Sequence, residues 1–464
     1  MNGQLIHLIG VSGTGMGALA GLLLEKGFKV QGSDTAFYPP IGPFLRSIGV
    51  RLFEGYSPSN LEPRPDLVII GNVIRRDNPE ARAVMRLGLP YLSFPDALRE
   101  FWLKERDVIA ICGTHGKTTT TSLCVSALKD KRPGYLVGGI LKDTGKGFSQ
   151  GEPPWFVIEG DEYDTAFFDK TPKFLHYDPR YVVLTSVEFD HADIYPDLEA
   201  VKRVFRKLVA SMPPTGIIAA CMDGGCVEEV LDQAPCKVVT YGTGPSSLYR
   251  LDGVEIDGDL TLFRFTARGK HVEGKIRLPG RHNALNALGV YALLREIGLD
   301  HSEILRGLRE CQGVKRRQEV VAEANGITVI DDFAHHPTAV RETLSALRMR
   351  YGPGRRLIVA FEPRTNTSRR SVFQDAYPKA LSQGDLVLVR DVPDPEKAPE
   401  GDRFSSSRLV EALKALGTSA VLFKDGREIF DFLCQEMEEG DLVVVMSNGG
   451  FEGLVGSLAD YLRT

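Results

Sequence analysis

The sequence contains no paired cysteines, no long apolar run and no cluster of basic residues, and each absence excludes a class of protein. Its seven cysteines form neither a CxxC pair nor a Cys/His spacing that fits a zinc site, so we expect free thiols. No stretch approaches the ~18 apolar residues of a membrane-spanning helix. Residues 1–27 lack the basic segment and unbroken apolar core of a signal peptide. The sequence therefore predicts a soluble, cytoplasmic protein with no membrane partner.

Charge and length narrow the class further. The chain has 464 residues, of which 43% are hydrophobic and 25% charged, with 56 basic against 61 acidic side chains. This composition is typical of a globular protein, and the length predicts roughly two to four domains. A net charge of −5 without Lys/Arg-rich runs argues against nucleic acid as a partner and leaves small charged ligands open.

Short apolar runs alternate with amphipathic stretches along nearly the whole chain. Most of the runs are continuously apolar, which is typical of parallel strands covered by helices on both faces. Only residues 260–278 alternate, which predicts an antiparallel hairpin or small side sheet. The other predicted strands are 5–9, 66–70, 107–112, 155–159, 181–187, 216–220, 237–242, 327–331, 355–361, 385–392, 420–423 and 441–446.

A first glycine loop follows the strand at 5–9 and opens a helix. Its Gly13-x-Gly15-x-x-Ala18 pattern fits the dinucleotide fingerprint, and Asp34 ends the second strand at about the required distance. Glycines let the backbone approach a diphosphate, while amide N–H groups and the helix dipole supply positive potential. The alternative is a tight turn without a ligand. The pattern supports a diphosphate ligand, with NAD only as the default.

A second glycine loop follows the apolar strand at 107–112 and also begins a helix. Lys117 at the mouth of this turn can reach the β- and γ-phosphates of a nucleotide, and the Thr118 hydroxyl can bind Mg²⁺. Ile111 stands where the full Walker pattern has glycine, so the motif is a shortened variant. The flanking strand and helix favour a nucleoside triphosphate over an accidental surface motif. The remaining loop residues are Gly113, Thr114, His115, Gly116 and Thr119.

Two acidic segments follow the next strands. Mg²⁺ prefers oxygen ligands, and the carboxyl ends of parallel strands are where such ligands gather. A histidine between acidic neighbours is a plausible second metal or phosphate ligand, although acidic loops are usually just solvated. The residues are Glu159, Asp161, Glu162 and Asp164 in the first segment, and Glu188, Asp190, His191 and Asp193 in the second.

Three more clusters are candidates for ligand contacts. Asn283 and Asn286 lie three residues apart on one face of a predicted helix, where their amides could contact a purine edge or simply cap the helix. Arg316 and Arg317 are well placed to bind a γ-phosphate when domains close. The segment after the strand at 327–331 holds Asp331, Asp332, His335 and His336.

These patterns predict an α/β protein of three domains. A Rossmann-like N-terminal domain (1–105) contains the first loop. A central domain (106–313), with a parallel sheet of the P-loop ATPase type and a small antiparallel side sheet, contains the second. A Rossmann-like C-terminal domain (314–464) follows.

The motifs resemble those of the Mur ligase family, the ATP-dependent amide-forming enzymes of peptidoglycan assembly. GTHGKTTT, IEGDEYD, EFDHADIY, PGRHNALNA, GVKRR and DDFAHHPTAV occur in the family's order and spacing, and the resemblance covers essentially the whole chain. It implies ATP as a substrate and Mg²⁺ as a cofactor. GVSGTGMGALA with GSD resembles the UDP-sugar loop of members that bind UDP-N-acetylmuramate, which replaces NAD as the expected ligand.

Two branches of the family are candidates. One joins L-alanyl-γ-D-glutamyl-meso-diaminopimelate, the murein tripeptide, to UDP-N-acetylmuramate during cell-wall recycling, and the other adds L-alanine during de novo synthesis. The stretches SDTAFYPPIGPFL, DEYDTAFFDK, DDFAHHPT, FEPRTNTSRR and MSNGGFEG favour the tripeptide branch. We expect no nucleic acid partner and a monomer or homodimer.

The resemblance also implies roles for individual residues. Lys117, His191 and Arg317 would be catalytic, and the metal would be held by Thr118, Glu159 and His191. Asn283 and Asn286 would contact the adenine or neighbouring phosphates, and Asp332 the ribose. His335 and Arg364 would contact the acceptor. Gly13, Gly15 and Asp34 would hold the uridine diphosphate, and no carbamylated lysine is expected at Lys202 or Lys207.

Overall fold

The computed structural model describes residues 3–38 and 41–463 and begins with a five-stranded parallel sheet in the order β3-β2-β1-β4-β5. Its central strand β1 is buried because its run of apolar residues is covered by helices on both faces. The strands are β1 (Leu5–Ile9), β2 (Lys29–Asp34), β3 (Arg51–Glu54), β4 (Leu67–Ile70) and β5 (Tyr91–Ser93). The helices are α1 (Thr14–Glu25), α2 (Ile41–Ser47), α3 (Pro79–Arg86) and α4 (Phe94–Phe101). Part of the stretch 33–45, namely residues 39–40, lies outside the described residues.

A ten-stranded sheet forms the middle of the molecule, in the order β17-β16-β15-β14-β13-β12-β6-β9-β7-β8. A second sheet pairs only β10 and β11. The strands are β6 (Asp107–Cys112), β7 (Gly134–Leu136), β8 (Phe148–Ser149), β9 (Trp155–Gly160), β10 (Asp164–Ala166), β11 (Asp169–Pro172), β12 (Tyr181–Leu184), β13 (Ile217–Cys221), β14 (Lys237–Gly242), β15 (Tyr249–Asp257), β16 (Leu260–Ala267) and β17 (Lys270–Ile276). The helices are α5 (Lys117–Ala127), α6 (Leu198–Ala210), α7 (Arg281–Ile297) and α8 (His301–Glu310).

A six-stranded sheet follows, in the order β18-β19-β23-β20-β21-β22, with only β18 antiparallel to its neighbour. The strands are β18 (Glu319–Ala324), β19 (Ile327–Asp332), β20 (Leu357–Phe361), β21 (Leu386–Arg390), β22 (Ser419–Phe423) and β23 (Leu442–Met446). The helices are α9 (Pro337–Tyr351), α10 (Tyr377–Leu381), α11 (Ser406–Ala415), α12 (Gly426–Glu436) and α13 (Leu454–Arg463).

The predicted α/β class with parallel sheets is confirmed, and the residues of the domain boundaries stay a prediction. The alternating stretch 260–278 is the outer part of a three-stranded antiparallel segment, because β15 joins it and links it to β14. Strands β3 and β5 escaped prediction because they are short and only partly buried. Within the described ranges, no helix is long and apolar enough to cross a lipid bilayer.

Contacts between distant segments hold the three large sheets together. Helix α1 lies against β8, where Gly21 contacts the Phe148 ring so closely that a side chain would collide with it. Two segments of the last third of the chain form hydrogen bonds with the middle part. Thr338 at the start of α9 donates to Glu188 at 2.7 Å, and Ala192 donates its backbone N–H to the Thr367 hydroxyl at 3.2 Å.

Candidate active site

The second glycine loop, Gly113–Lys117, connects β6 to α5 at the carboxyl edge of the ten-stranded sheet. Gly113 and Gly116 have φ of +135° and +79°, a region that favours glycine. A Cβ on Gly113 would collide with the Thr185 hydroxyl, and one on Gly116 would lie 3.0 Å from the Asn286 amide oxygen. Both glycines are therefore required by backbone conformation and by close packing. The predicted strand–loop–helix arrangement is present.

Lys117 extends from the first turn of α5 into a set of oxygen acceptors. Its ammonium group donates to the Gly113 carbonyl at 2.7 Å and to the two Glu162 carboxylate oxygens at 2.9 and 3.2 Å. Burial would lower the pKa of Lys117, but Glu162 and Asp161 outweigh that effect and raise it. Burial would likewise raise the pKa of Glu162, but Lys117 and His191 lower it to about 2. The pair is therefore a buried ion pair at neutral pH.

Thr118 and Glu159 offer two oxygen ligands for a hard cation. The Thr118 hydroxyl donates to the Glu159 carboxylate at 3.1 Å, and the other carboxylate oxygen accepts the Gly138 N–H at 2.5 Å. Burial, reinforced by Asp161, raises the pKa of Glu159 to about 7. Such an acid is stabilised in its charged form by a cation, so the predicted Mg²⁺ ligands Thr118 and Glu159 fit the ion by type and position.

His191 lies on the loop after β12, but its partner is Glu162 rather than Glu159. Its Nε2 is 3.0 Å from a Glu162 carboxylate oxygen, and the Tyr163 ring lies 4.2 Å away between ring centres. Its φ of +56° is held by Asp190, which accepts the His191 backbone N–H at 2.7 Å. Burial lowers the pKa of His191, but Glu162 and Asp190 outweigh that effect and raise it. The structure thus places His191 next to Lys117 through a shared carboxylate.

A cavity of about 680 Å³ extends from the phosphate loop to the end of β19 and the start of α9. Asn283 and Asn286 lie on α7 with their amide groups 3.4 Å apart, and Arg317 contacts the Thr118 hydroxyl at 3.4 Å. Asp332 is nearly buried and accepts backbone N–H groups of Gln318 and Ala334, both at 2.8 Å. The predicted nucleotide residues that line this cavity are His115, Gly116, Thr119, Asn283, Asn286, Arg317 and Asp332.

Thr114 is not among the residues that line this cavity, and its side chain has a structural role. The hydroxyl donates to the Glu188 carbonyl at 3.1 Å and accepts the Glu188 N–H at 2.9 Å. These two bonds join the phosphate loop to the segment that carries His191. Thr114 therefore positions the loop rather than offering its side chain to a ligand.

Glu188, His115 and His336 form a cluster whose candidate ligand atoms lie within 4.8 Å of one another. The two imidazole rings are 4.1 Å apart between centres. Both nitrogens of His336 are already engaged, since Nδ1 accepts the Thr338 N–H at the start of α9 and Nε2 contacts the Phe189 carbonyl, each at 3.2 Å. The cluster therefore joins the middle of the chain to its last third and does not make a free set of metal ligands.

The first glycine loop is held by Asp34. One Asp34 carboxylate oxygen accepts the Ser12 N–H at 2.7 Å, and the other accepts the Thr35 N–H at 2.7 Å and the Tyr56 hydroxyl at 3.2 Å. Gly13 caps α1 with φ of −69°, and no described residue lies within 4 Å of the position of a Cβ on it. A Cβ on Gly15 would contact the Phe94 ring at 3.4 Å. Asp34 thus fixes the shape of the loop, while the Gly13 surface stays open to a ligand.

A second cavity, of about 280 Å³, is lined by His191, whose Nε2 contacts the same Glu162 carboxylate that binds Lys117. His335 and Arg364, the predicted acceptor residues, both line it. Burial lowers the pKa of His335, so its imidazole is neutral, and the ring contacts the Phe333 carbonyl through Nδ1 at 3.2 Å. The full lining is Tyr163, Asp190, His191, Asp193, Phe333, His335, Arg364, Thr365, Asn366, Thr367 and Asn448.

Sequence reasoning missed several residues of these sites. Asn448 lines the second cavity, and its amide oxygen has no hydrogen-bond partner among the described residues. Glu80, fully buried beneath the first loop, accepts hydrogen bonds from Ser33 at 2.8 Å and Asn60 at 3.0 Å and pairs with His7. Glu80 lies in no recognisable motif. Asn448 lies in MSNGGFEG, a stretch that was used above only to choose a branch of the family.

Comparisons with known proteins cover the whole chain. Residues 5–106, 111–294 and 316–449 match the family descriptions "Mur ligase family, catalytic domain", "Mur ligase middle domain" and "Mur ligase, glutamate ligase domain", respectively. The UDP-N-acetylmuramate–L-alanyl-gamma-D-glutamyl-meso-2,6-diaminoheptandioate ligase of Escherichia coli is 38% identical, over 98% of each chain. The UDP-N-acetylmuramate–L-alanine ligase of Desulforamulus reducens is 32% identical, over 96% of this chain and 95% of the relative.

Solved structures show the same fold. The murein peptide ligase of Psychrobacter arcticus is 32% identical with a TM-score of 0.73, covering 98% of this chain and 99% of that one. The UDP-N-acetylmuramate-alanine ligase of Thermotoga maritima is 27% identical with a TM-score of 0.81, covering 99% of each chain. Full-length identity above 30%, three matching domains and a shared fold lead to one conclusion: the chain belongs to the Mur ligase family.

Proposed function

We propose that this chain is an ATP-dependent ligase that joins L-alanyl-γ-D-glutamyl-meso-diaminopimelate to UDP-N-acetylmuramate, with release of ADP and phosphate. The observation that carries the proposal is the chain of contacts from Lys117 through Glu162 to His191. Lys117 lines neither cavity, but it follows Gly116, which lines the cavity suited to a nucleotide, and His191 lines the second cavity together with Arg364. The 38% and 36% identical relatives from Escherichia coli and Haemophilus influenzae bear the name of this reaction, which supports the choice of acceptor.

The reaction must first activate a carboxylate, because its oxygen is a poor leaving group in an attack by an amine. In the proposed sequence, the lactyl carboxylate of UDP-N-acetylmuramate attacks the γ-phosphorus of ATP, and ADP leaves. The amine of the tripeptide's L-alanine then attacks the acyl phosphate carbon. The tetrahedral intermediate collapses with loss of inorganic phosphate, and the amine nitrogen gives up its proton. The products are the amide, ADP and phosphate in equal amounts.

The residues around the phosphate loop would position and neutralise the transferring phosphoryl group. Lys117, His191 and Arg317 supply cationic groups from three separate segments. Mg²⁺, held by Thr118 and Glu159, would supply further charge neutralisation when bound. Asn283, Asn286 and Asp332 would hold the adenosine. His335, neutral and facing the second cavity, and Arg364 would contact the acceptor.

The remaining proposed roles assign one substrate to each of the three predicted domains. Residues 1–105 would hold UDP-N-acetylmuramate, with Gly13, Gly15 and Asp34 at the diphosphate. Residues 106–313 would hold ATP, and residues 314–464 the acceptor. We place the enzyme in the cytoplasm because its proposed nucleotide substrates are cytoplasmic metabolites. A monomer or homodimer stays a prediction from the sequence.

The test is an acceptor panel. Purified enzyme with ATP, Mg²⁺ and UDP-N-acetylmuramate is incubated with the tripeptide, with L-alanine or with neither, and phosphate release and the ligated product are measured. We expect the tripeptide to support turnover and L-alanine to be a much poorer acceptor. Strong alanine-dependent activity without tripeptide activity would assign the chain to the alanine-ligase branch instead.

One observation favours that second candidate. The TM-score to the Thermotoga maritima alanine ligase, 0.81, exceeds that to the Psychrobacter arcticus murein peptide ligase, 0.73, although its sequence identity is lower, 27% against 32%. A TM-score over three domains depends on how the domains are rotated, whereas acceptor choice depends on residues in one cavity. We therefore give sequence identity more weight.

A further inference from the structure

We propose that Glu162 is a positioning residue that competes with the triphosphate for Lys117 and keeps His191 in place for phosphoryl transfer. The inference rests on the proposed function. It adds that Glu162 controls how Lys117 of the phosphate loop binds the triphosphate. Neither the glycine motif nor the Mg²⁺ ligands assign a role to Glu162. Its placement between Lys117 and His191 is therefore unexplained by the rest of the site.

The first argument is the saturation of Lys117. An ammonium group has three N–H donors. In this structure the three acceptors in reach are the Gly113 carbonyl and both oxygens of Glu162, at 2.7, 2.9 and 3.2 Å. A phosphate oxygen that binds Lys117 has to replace one of these acceptors, and two of the three belong to Glu162. In the proposed exchange the phosphate replaces a Glu162 oxygen, which breaks part of a buried ion pair.

The second argument is that Glu162 is fixed from several sides. Its side chain is only 3% exposed, and its backbone carbonyl accepts the Tyr195 hydroxyl at 2.5 Å. The oxygen that lies 3.2 Å from Lys117 is also the one that lies 3.0 Å from His191. A residue held in this way cannot easily follow Lys117 when the lysine turns toward a phosphate. The exchange therefore separates Lys117 from Glu162 and leaves Glu162 paired with His191.

The third argument concerns charge. A carboxylate near a phosphate repels it, so Glu162 weakens nucleotide binding. The same carboxylate orients the His191 imidazole, whose Nε2 lies 3.0 Å from it and whose ring packs against Tyr163. Glu162 thus opposes binding and supports transfer. Substitution of a residue with only a structural role would not strengthen nucleotide binding while it slowed phosphoryl transfer.

The test compares Glu162→Gln with wild type and with Glu152→Gln. Glu152 is an exposed acid of the same part of the chain that pairs with Arg132, so its variant removes an equal charge outside the site. Binding of the non-hydrolysable analogue AMP-PNP with Mg²⁺ is measured by calorimetry, kcat and KM by phosphate release, and folding by thermal unfolding. We expect Glu162→Gln to bind AMP-PNP about fivefold to tenfold more tightly and to lose at least about tenfold in kcat. Glu152→Gln should match wild type in both quantities.

The outcomes separate this inference from the proposed function. Glu162→Gln binding AMP-PNP no more tightly than wild type, or keeping full kcat, would overturn the role of Glu162 while wild-type ligation still supported the function. Absence of ATP-dependent ligation in wild type would instead overturn the function. Should Glu162→Gln not fold, Glu162→Asp serves as the second variant. It keeps the charge but shortens the reach to His191, so kcat should fall at least about fivefold, and an unchanged kcat would contradict the proposal.

Discussion

The two glycine loops share one design but differ in how they meet a phosphate. Both connect a buried strand to the start of a helix, so both offer backbone N–H groups and a helix dipole. The first carries no cationic side chain, and Asp34 is used to hold its shape. The second adds Lys117, surrounded by the acids Glu159 and Glu162. This difference agrees with the proposed function, in which the first loop would bind a diphosphate that stays intact and the second would bind a phosphoryl group that is transferred.

The largest expected effect comes from removing the cation that distinguishes the second loop. Lys117→Met should reduce ligation roughly 10³-fold or more, because a charge at the transferring phosphoryl group is lost. Binding of UDP-N-acetylmuramate at the first loop should stay within about twofold of wild type. Phosphate release measures the first quantity and calorimetry the second. A variant that keeps most of its ATP-dependent ligation would remove Lys117 from the mechanism.

The next largest effect is expected at Asp34, which holds the shape of the first loop where no cationic side chain is present. Asp34→Ala removes the hydrogen bonds that Ser12, Thr35 and Tyr56 donate to this carboxylate, each contributing about 1 kcal/mol. We expect the KM for UDP-N-acetylmuramate to rise at least about tenfold while the affinity for AMP-PNP is unchanged. Steady-state kinetics and calorimetry provide the two values. Equal losses at both ligands would mean that Asp34 supports the whole fold rather than one loop.

Replacing one glycine by alanine in each loop tests whether that glycine serves the fold or the ligand. Gly116→Ala forces a side chain into a left-handed conformation against Asn286, which should cost about 1–2 kcal/mol of stability as well as nucleotide affinity. Gly13→Ala meets no such obstacle among the described residues, so its Tm should stay that of wild type. Its KM for UDP-N-acetylmuramate should nonetheless rise about fivefold, because the methyl group occupies the ligand's approach. Thermal unfolding and kinetics of the pair decide whether Gly13 serves the ligand or the fold.

The smallest expected effect is a pH dependence of stability that comes from Glu159, beside the second loop. Burial raises the pKa of Glu159 from the ordinary carboxyl value of 4.5 to about 7, so between these pH values the folded protein holds a proton that the unfolded chain has lost. Stability from this group is therefore present at low pH and decreases as pH rises from about 4.5 to 7. Glu159→Gln should match the Tm of wild type near pH 5 and exceed it by a few degrees at pH 8 without Mg²⁺. A Tm difference independent of pH would contradict the assignment.

The sequence was enough to predict the phosphate loop because glycines at fixed positions between an apolar strand and a helix leave few alternatives. Without the family resemblance, it could not distinguish Glu159 from Glu162. Glu159 lies in β9 and Glu162 two residues beyond its end, and which carboxylate reaches Lys117 depends on the backbone path beyond Gly160. Residues such as Asn448 and Glu80 escaped because their environment is made by distant segments, and no local spacing reports it.

The position of Arg317 has a consequence for what the enzyme does while idle. This guanidinium follows the family's middle domain in the chain, packs 4.5 Å from the Phe333 ring and still reaches Thr118 beside the phosphate loop. Under the proposed function, the cations around the transferring phosphoryl group come from two family domains, Lys117 from one and Arg317 from the other. A molecule in which Arg317 has left Thr118 would then lack one of these cations and would hydrolyse little ATP between rounds of synthesis.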